Sequence, residues 1–543
     1  MSFLSKMNKS KLLAAGIALA LGAMLTVGCG GGDKKDAKAP AKAGSKPIYM
    51  GMFNSPTSFN PLLMPDASGR IMIRYIYEAL LGQPEPYKFT PHLAQSFESQ
   101  DGQNYVIKLN PKAKWTDGKP ITADDVVFTY NLVANPKMQT SRGRYVAMLE
   151  GTSPAGKLLK GDKIPGLEAK DATTVVFKTK APMDPNYVKC LLGFDIPIVP
   201  KHIWEKLDPA TIAKSEVATK PTVTSGAYKL VKFVPGNSIE LEANKDYYLG
   251  TPKTERFFVK IENGTNIVTD LKAGKLNMIA GGGVGTAPIK DIPMLEKEPN
   301  LVVKHYPAPA PQLLEINNSK YNVKFRRAVT MGINRQIMCD KLYNGFAYVT
   351  PSLYTKDSPV YDANVKALPY DVEAAKKELK ESGYDTSKEI VLQVPIGNVP
   401  REQSADLIQQ NLAAIGLKVK LQKMDFPTVI GNARKGNFDM LLIGLAPSID
   451  PDHSAYYSKG SANNYAVCDD PKLSAMFAEG MAQPNLEKRK IVYSNIQKHL
   501  VENAIDVTLY ATEYFTIQSK NLVGGIKPYW EGSWDDVHTW ELK

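Results

Sequence analysis

Apolar and polar positions change period along the chain, and each change marks an element. Asn104-Tyr105-Val106-Ile107-Lys108-Leu109 alternates and predicts a half-buried strand. Thr116-Asp117-Gly118-Lys119-Pro120 predicts a turn after it. Thr122, followed three residues later by Asp125, has the spacing of a capping box that opens a helix. In that helix Val126, Tyr130 and Val133 repeat at i, i+4 and i+7 and form one apolar stripe.

A second pattern starts at Ile390-Val391-Leu392-Gln393-Val394, which reads as a strand. A helix over 402–414 carries Ala405, Ile408 and Leu412 on one face and stops at Gly416. Leu417, Val419 and Leu421 then alternate as another strand. Strand, helix and strand at this spacing make a βαβ unit with parallel pairing. Phe438 to Leu445 is nearly all apolar, as a strand buried on both faces must be. Ligands of open α/β sheets sit beyond the carboxyl ends of such strands, so the loop after Leu445 is a candidate site. Asp371 is placed to cap a helix from Val372 to Glu381, with Val372, Ala375 and Leu379 on one face and Gly383 ending it.

The N-terminus has a different pattern. Lys6, Lys9 and Lys11 precede an uncharged run over 12–27, which as a helix would span about 24 Å, short of the roughly 30 Å hydrocarbon core. A basic start, a short apolar stretch and a small residue before Cys29 describe a secretory signal over 1–28. Leu25-Thr26-Val27-Gly28-Cys29 resembles a lipobox, in which Cys29 is acylated; an ordinary signal with a chance Cys is the alternative. Residues 29–46 are polar and flexible in composition, a tether.

Composition changes this picture little. In 543 residues, 43% are hydrophobic and 22% charged, which is ordinary for a globular protein able to bury a large core. Removing Lys6, Lys9 and Lys11 lowers the net charge from +12 to +9. The remaining Lys residues are scattered among acids, so no nucleic-acid partner is expected. Cys190, Cys339 and Cys468 lie far apart and allow at most one disulfide.

The ordered segments resemble the family 5 extracellular solute-binding proteins, the peptide and nickel class of ABC-importer receptors. The resemblance rests on Asn60-Pro61, Tyr77-Glu78-Ala79-Leu80-Leu81, Pro91-His92-Leu93-Ala94 with Ser96, and Trp115 through Val126. It continues in Thr224-Ser225-Gly226-Ala227-Tyr228-Lys229-Leu230, where Ser225 and Ala227 depart from the family's Gly-x-Gly-Pro-Tyr, and in Asn244-Lys245-Asp246-Tyr247-Tyr248. Phe325-Arg326-Arg327-Ala328, Asn334-Arg335, the stretch 370–384 and the stretch 436–452 complete the order. The resemblance implies an α/β, two-lobed periplasmic-binding-protein type II (cluster C) fold with an extra inserted subdomain. Lobe I would comprise 47–87, 205–310 and 519–543, the insert 88–204, and lobe II 311–518. A ligand would be enclosed between the lobes and closure read by a membrane permease.

Candidate ligand contacts follow from this frame. By resemblance, Met64, Asp66 and Ala67 line the cleft from the first lobe. Leu445, Ala446, Pro447 and Ser448 stand where family peptide binders often place a Trp and an Asp that pairs with a peptide amine, so that anchor is missing. Asp450 and His453, with Asp452, make a polar cluster read either as an Asp-Pro turn with capping roles or as a ligand contact. Arg401 suits a carboxylate clamp or an ordinary surface position. Tyr510 and Tyr514 suit ligand stacking or core packing. The glycines at 281–285 read as a loop, since no Gly-Lys-Ser/Thr follows, and Trp530, Trp534 and Trp540 as packing of the final strand into the first lobe.

The leading expectation is an extracytoplasmic lipoprotein that captures oligopeptides for an ABC permease, is anchored through Cys29, and is monomeric. No catalytic residue, metal or cofactor is expected. A receptor for a nickel chelate, haem or another small solute is the alternative in the same fold, kept open by the missing amine anchor and the six His residues. A hydrolase would need a nucleophile and base, and no His-Glu-x-x-His or Gly-x-Ser-x-Gly occurs. A sensory or adhesive lipoprotein is a further class.

Overall fold

The computed structural model describes residues 45–63, 66–525, 527 and 529–543, so Cys29 with its tether and Met64 lie outside the described residues. Among the described residues an 11-stranded sheet runs through most of the molecule. Its continuity depends on two long antiparallel strands, Leu301–Ile316 and Val507–Ser519. On one side lie Met278–Ile279, Ile48–Met52, Arg256–Ile261, Ser238–Ala243 and Tyr228–Val234; on the other lie Met440–Gly444, Glu389–Pro395 and Lys418–Met424, and the two-residue strand Ala347–Tyr348 pairs with Val507–Ser519 off this path. Both halves of the molecule therefore hang on the same two strands.

These two strands are not regular. Pairing slips between Pro307 and Pro311, where Pro307 faces Glu513 and Pro311 faces Ala511. Prolines cannot donate to a ladder, so a proline-rich stretch tolerates a bulge where a regular strand would lose hydrogen bonds. Just before the slip, Tyr306 and Tyr514 stand directly opposite each other, ring centroids 6.3 Å apart and edge to face.

The βαβ unit is present. Glu389–Pro395 and Lys418–Met424 pair in parallel, joined by the helix Val399–Ala414, whose Ala405, Ile408 and Leu412 are fully buried. That helix begins at Val399 instead of 402, because the Asn398 side chain caps it by accepting the Arg401 N–H at 3.0 Å. Met440–Gly444 pairs with both Glu389–Pro395 and Leu301–Ile316, and its side chains alternate into two cores, Met440 and Leu442 into one and Leu441 and Ile443 into the other, so both its faces are buried. The helix Val372–Ser382 is capped by Asp371 and ends at Gly383 with φ 73°.

A separate four-stranded antiparallel sheet, Ala94–Ser99, Asn104–Leu109, Thr174–Lys178 and Leu167–Asp171, has its own core. Tyr105, Ile107 and Leu109 point inward, as their alternation requires. Asp125 closes the capping box on the Thr122 N–H at 2.9 Å, and Val126, Tyr130 and Val133 are buried against Phe177 and Trp204. The C-terminal residues join a different core: Trp534 and Trp540 pack with Ile48, Tyr75, Tyr228 and Phe257. The segment after Trp530 runs through turns and the short 3₁₀ helix Val537–Thr539, with strand only at Glu541–Leu542. Cys190, Cys339 and Cys468 are buried free thiols. Among the described residues no helix is long and apolar enough to cross a membrane.

Candidate functional site

The bulged strand pair forms one wall of a cavity of about 200 Å³. Tyr306, Pro307, Pro309 and Tyr514 supply that wall, and the loop at 446–449, just beyond the buried strand Met440–Gly444, supplies another with Asp357. The opposite wall comes from Arg70, Gln83, Arg144, Tyr145 and the turn containing Cys190, Phe194 and Asp195. In that turn the Asp195 N–H reaches the Cys190 carbonyl at 3.0 Å, an i→i+5 bond that widens the helix and turns these side chains inward. Tyr529, Trp530 and Glu531 complete the lining.

Trp530 is held by its indole N–H, which donates to the Ala280 carbonyl at 3.1 Å, and by Gly282, where an added Cβ would collide with the indole ring. The glycine loop is therefore a seat for a cavity wall. Trp530 also packs into the core that holds Trp534 and Trp540, from a bend and not from a strand.

The charges in the cavity are only partly matched. Arg70 is paired with Glu531, which raises its pKa, and its guanidinium also lies 5.6 Å from the Trp530 ring centre. Asp195 lies 4.0 Å from Arg74, and burial still pushes its pKa up. Arg144 stacks on Tyr145 at 4.9 Å and donates to its hydroxyl at 3.1 Å. Asp357 accepts from Thr355 Oγ1 at 2.5 Å, and burial pushes its pKa up to about 6. The Gln83 side-chain oxygen accepts from the Tyr529 hydroxyl at 3.3 Å. Gln83 Nε2 and the Tyr306 hydroxyl are buried with no hydrogen-bond partner among the described residues.

Of the residues singled out in the sequence, Ala446, Pro447, Ser448 and Tyr514 line this cavity. The other candidate contacts among the described residues lie elsewhere. Asp66 caps the helix Ala67–Ile76, accepting from the Gly69 N–H at 3.0 Å and from Thr57, and Ala67 packs as that helix's first residue. Arg401 is bound to Gln312 Oε1 at 3.0 Å. Leu445 packs into the C-terminal core and donates its N–H to the Pro311 carbonyl. Tyr510 is fully buried and bonded to Ser404.

Asp450 and His453 sit in a buried layer away from the cavity lining. Arg489 grips Asp450 with both terminal nitrogens, at 3.2 and 3.3 Å, and Tyr87 donates to the same carboxylate at 2.7 Å. His453 stacks on Tyr354 at 4.8 Å; burial lowers its pKa to about 4, so it is neutral at pH 7. Among the described residues no group of three or more His, Cys, Asp or Glu is arranged to hold a metal ion. Gln83, Arg144, Tyr306 and Asp357 were not legible as site residues. Each is an isolated polar residue with no motif around it.

A cavity walled from two halves that share two crossing strands is the site of a ligand-enclosing binding protein. The chain belongs to the bacterial extracellular solute-binding proteins, family 5, whose middle-region model matches residues 88–466, and it has their two-lobed α/β fold. It is similar to the oligopeptide-binding protein AppA of Bacillus subtilis, with 26% identity and 96% of each chain covered. The solved structure of that protein with a nonapeptide covers 92% of this chain and 100% of its own, at 24% identity and a TM-score of 0.75. NikZ from Campylobacter jejuni, solved with Ni(L-His), covers 91% and 99%, at 22% identity and a TM-score of 0.73.

Proposed function

We propose that the chain is the extracytoplasmic substrate-binding lipoprotein of an ABC importer, capturing oligopeptides between its lobes and presenting them to a membrane permease. The observation that carries this reading is the cavity itself, lined jointly from both halves and from the two strands that connect them. A ligand touching both halves stabilises their closed arrangement by its differential affinity, and closure is a signal a permease can read. Family membership and the oligopeptide-binding name of the Bacillus subtilis relative support the same role.

Within this reading, 47–87, 205–310 and 519–543 form lobe I, 88–204 the inserted subdomain and 311–518 lobe II. Cys29 carries the lipid and 29–46 the tether, which places a monomeric body at the outer face of the cell membrane. The chain binds and releases and does no chemistry. The nickel-chelate alternative has less support, since none of the lining residues is a histidine.

Native mass spectrometry of the full chain in detergent, followed by denaturing release of co-purified material, tests the proposal. A ladder of short-peptide masses is expected. A single non-peptide mass or a metal adduct would overturn the peptide reading.

A further inference from the structure

Resting on the substrate-binding reading, we infer that Tyr87 and Asp184 latch the closed arrangement of the lobes onto Asp450 and Arg489, through contacts that no ligand has to complete.

The cluster draws on both halves. Tyr87 and Asp184 lie in 47–204, and Asp450 and Arg489 lie in 311–518. Arg489 Nη1 donates to Asp184 Oδ2 and to the Tyr87 hydroxyl, each at 3.3 Å, and that hydroxyl donates to Asp450 Oδ2 at 2.7 Å. The guanidinium also lies between two rings, 5.5 Å from the centre of Tyr187 and 5.4 Å from that of Tyr493. Tyr187 packs against the core of the four-stranded sheet, and Tyr493 belongs to the C-terminal core. The side chains of Arg489 and Asp184 are 1% exposed and that of Asp450 3%, so salt and water screen these charges little.

Tyr87 makes its contact from a strained backbone. Glu85 faces Lys88 across the hairpin of Leu81–Glu85 and Lys88–Pro91, so Pro86 and Tyr87 form its two-residue turn. Tyr87 has φ 58° directly after the turn proline, a position where Gly or Asn is the usual residue. Strain of this kind persists where the surroundings over-determine it, and it gathers at clamps and switches. Here the surroundings are Asp450 and Arg489, which hold the hydroxyl from the other half.

The cluster and the cavity share their segments. Gln83, Cys190 and Ile449 all line the cavity. Gln83 lies in the strand that leads to Tyr87, Cys190 in the turn that follows the helix capped by Asp184, and Ile449 directly before Asp450. Separating the halves at the cavity therefore separates Tyr87 and Asp184 from Asp450 and Arg489. Arg489 keeps its two-pronged hold on Asp450 and its bond to the Gly480 carbonyl at 3.0 Å, since all three lie within 311–518. Only Tyr87 and Asp184 lose partners on opening. Because these contacts are the chain's own, they raise the closed fraction equally for every ligand, and each apparent affinity scales with that fraction.

The test is the distance between spin labels at Lys160→Cys and Lys472→Cys, exposed positions in the two halves, on the full chain in detergent freed of co-purified ligand. Cys190, Cys339 and Cys468 are buried and stay unlabelled. Two conservative changes probe the cluster. Asp184→Asn removes the charge but keeps an oxygen for the Asn186 N–H, and Tyr87→Phe keeps the ring but removes the hydroxyl. Without ligand, each is expected to lower the ratio of closed to open distances about threefold to tenfold. Competition native mass spectrometry with equimolar random-sequence pools of three, five and nine residues reads the second consequence. All pools are expected to lose affinity by one common factor, no larger than the change in that ratio. Unchanged distances in both variants overturn the latch. So does a larger closed population in Asp184→Asn, because two carboxylates crowded on one cation then oppose closure. Losses confined to one pool overturn it too, by making these residues ligand contacts. Retention of no pool overturns the peptide reading, while the distances, recorded without ligand, still decide the latch.

Discussion

The guanidinium of Arg489 lies 3.3 Å from the carboxylate of Asp184, a residue 305 positions earlier in the chain. Asp184 caps the short helix Pro185–Val188 beside the four-stranded sheet, while Arg489 belongs to the C-terminal helix Leu486–Glu502 and also holds Asp450. Both are about 1% exposed. One buried cation thus ties two distant packing units together.

Removing that cation leaves Asp450 and Asp184 buried without an ionic partner. Breaking a buried pair from one side costs about 3–5 kcal/mol. Arg489→Met is expected to lower stability by that amount, measured by urea denaturation, and the loss should be smaller in Arg489→Met/Asp450→Asn, which removes the stranded charge.

Gly282 has φ 56°, and a Cβ there meets the Trp530 ring. Gly282→Ala therefore incurs backbone strain and displaces a cavity wall, for a cost of about 1–3 kcal/mol. Thermal denaturation should show the loss, and ligand affinity should fall as well. Gly274→Ala shares the positive φ but has open space around it, so it isolates the backbone contribution.

Glu315 and Asp506 are buried carboxyls whose pKa values are both raised, Glu315 by burial and by Asp506, Asp506 by burial. Asp506 accepts from the Tyr457 hydroxyl at 2.5 Å, while one Glu315 oxygen has no partner among the described residues. The folded protein therefore keeps a proton that the unfolded chain releases near pH 4. The contribution of this pair to stability is therefore greatest below that pH and falls as pH rises, by about 1.4 kcal/mol per unit until Glu315 ionises. Glu315→Gln should flatten this slope, seen as a smaller difference between denaturation midpoints at pH 4.5 and pH 7.5.

Sequence alone determined the elements whose signals are local. The alternation from Asn104 to Leu109 sets which side chains face the core, because the strand period is two whatever packs above it. Thr122 and Asp125 start a helix by hydrogen bonds within four residues, and Asp371 and Gly383 bracket another. The βαβ spacing from Ile390 to Leu421 dictates parallel pairing, since that connection closes in one way. The loop after Leu445 could be marked because it follows a strand buried on both faces. Tertiary structure alone decided which polar side chains meet. Gln83, Arg144, Tyr306 and Asp357 lie on four separate segments with no shared periodicity, and only chain crossing brings them around one cavity. Asp450 offered two roles in the sequence; the position of Arg489, 39 residues later in the chain, put it in a buried ion pair. An ion pair or a cavity is a relation between distant surfaces, and its energy depends on distances that no local pattern encodes.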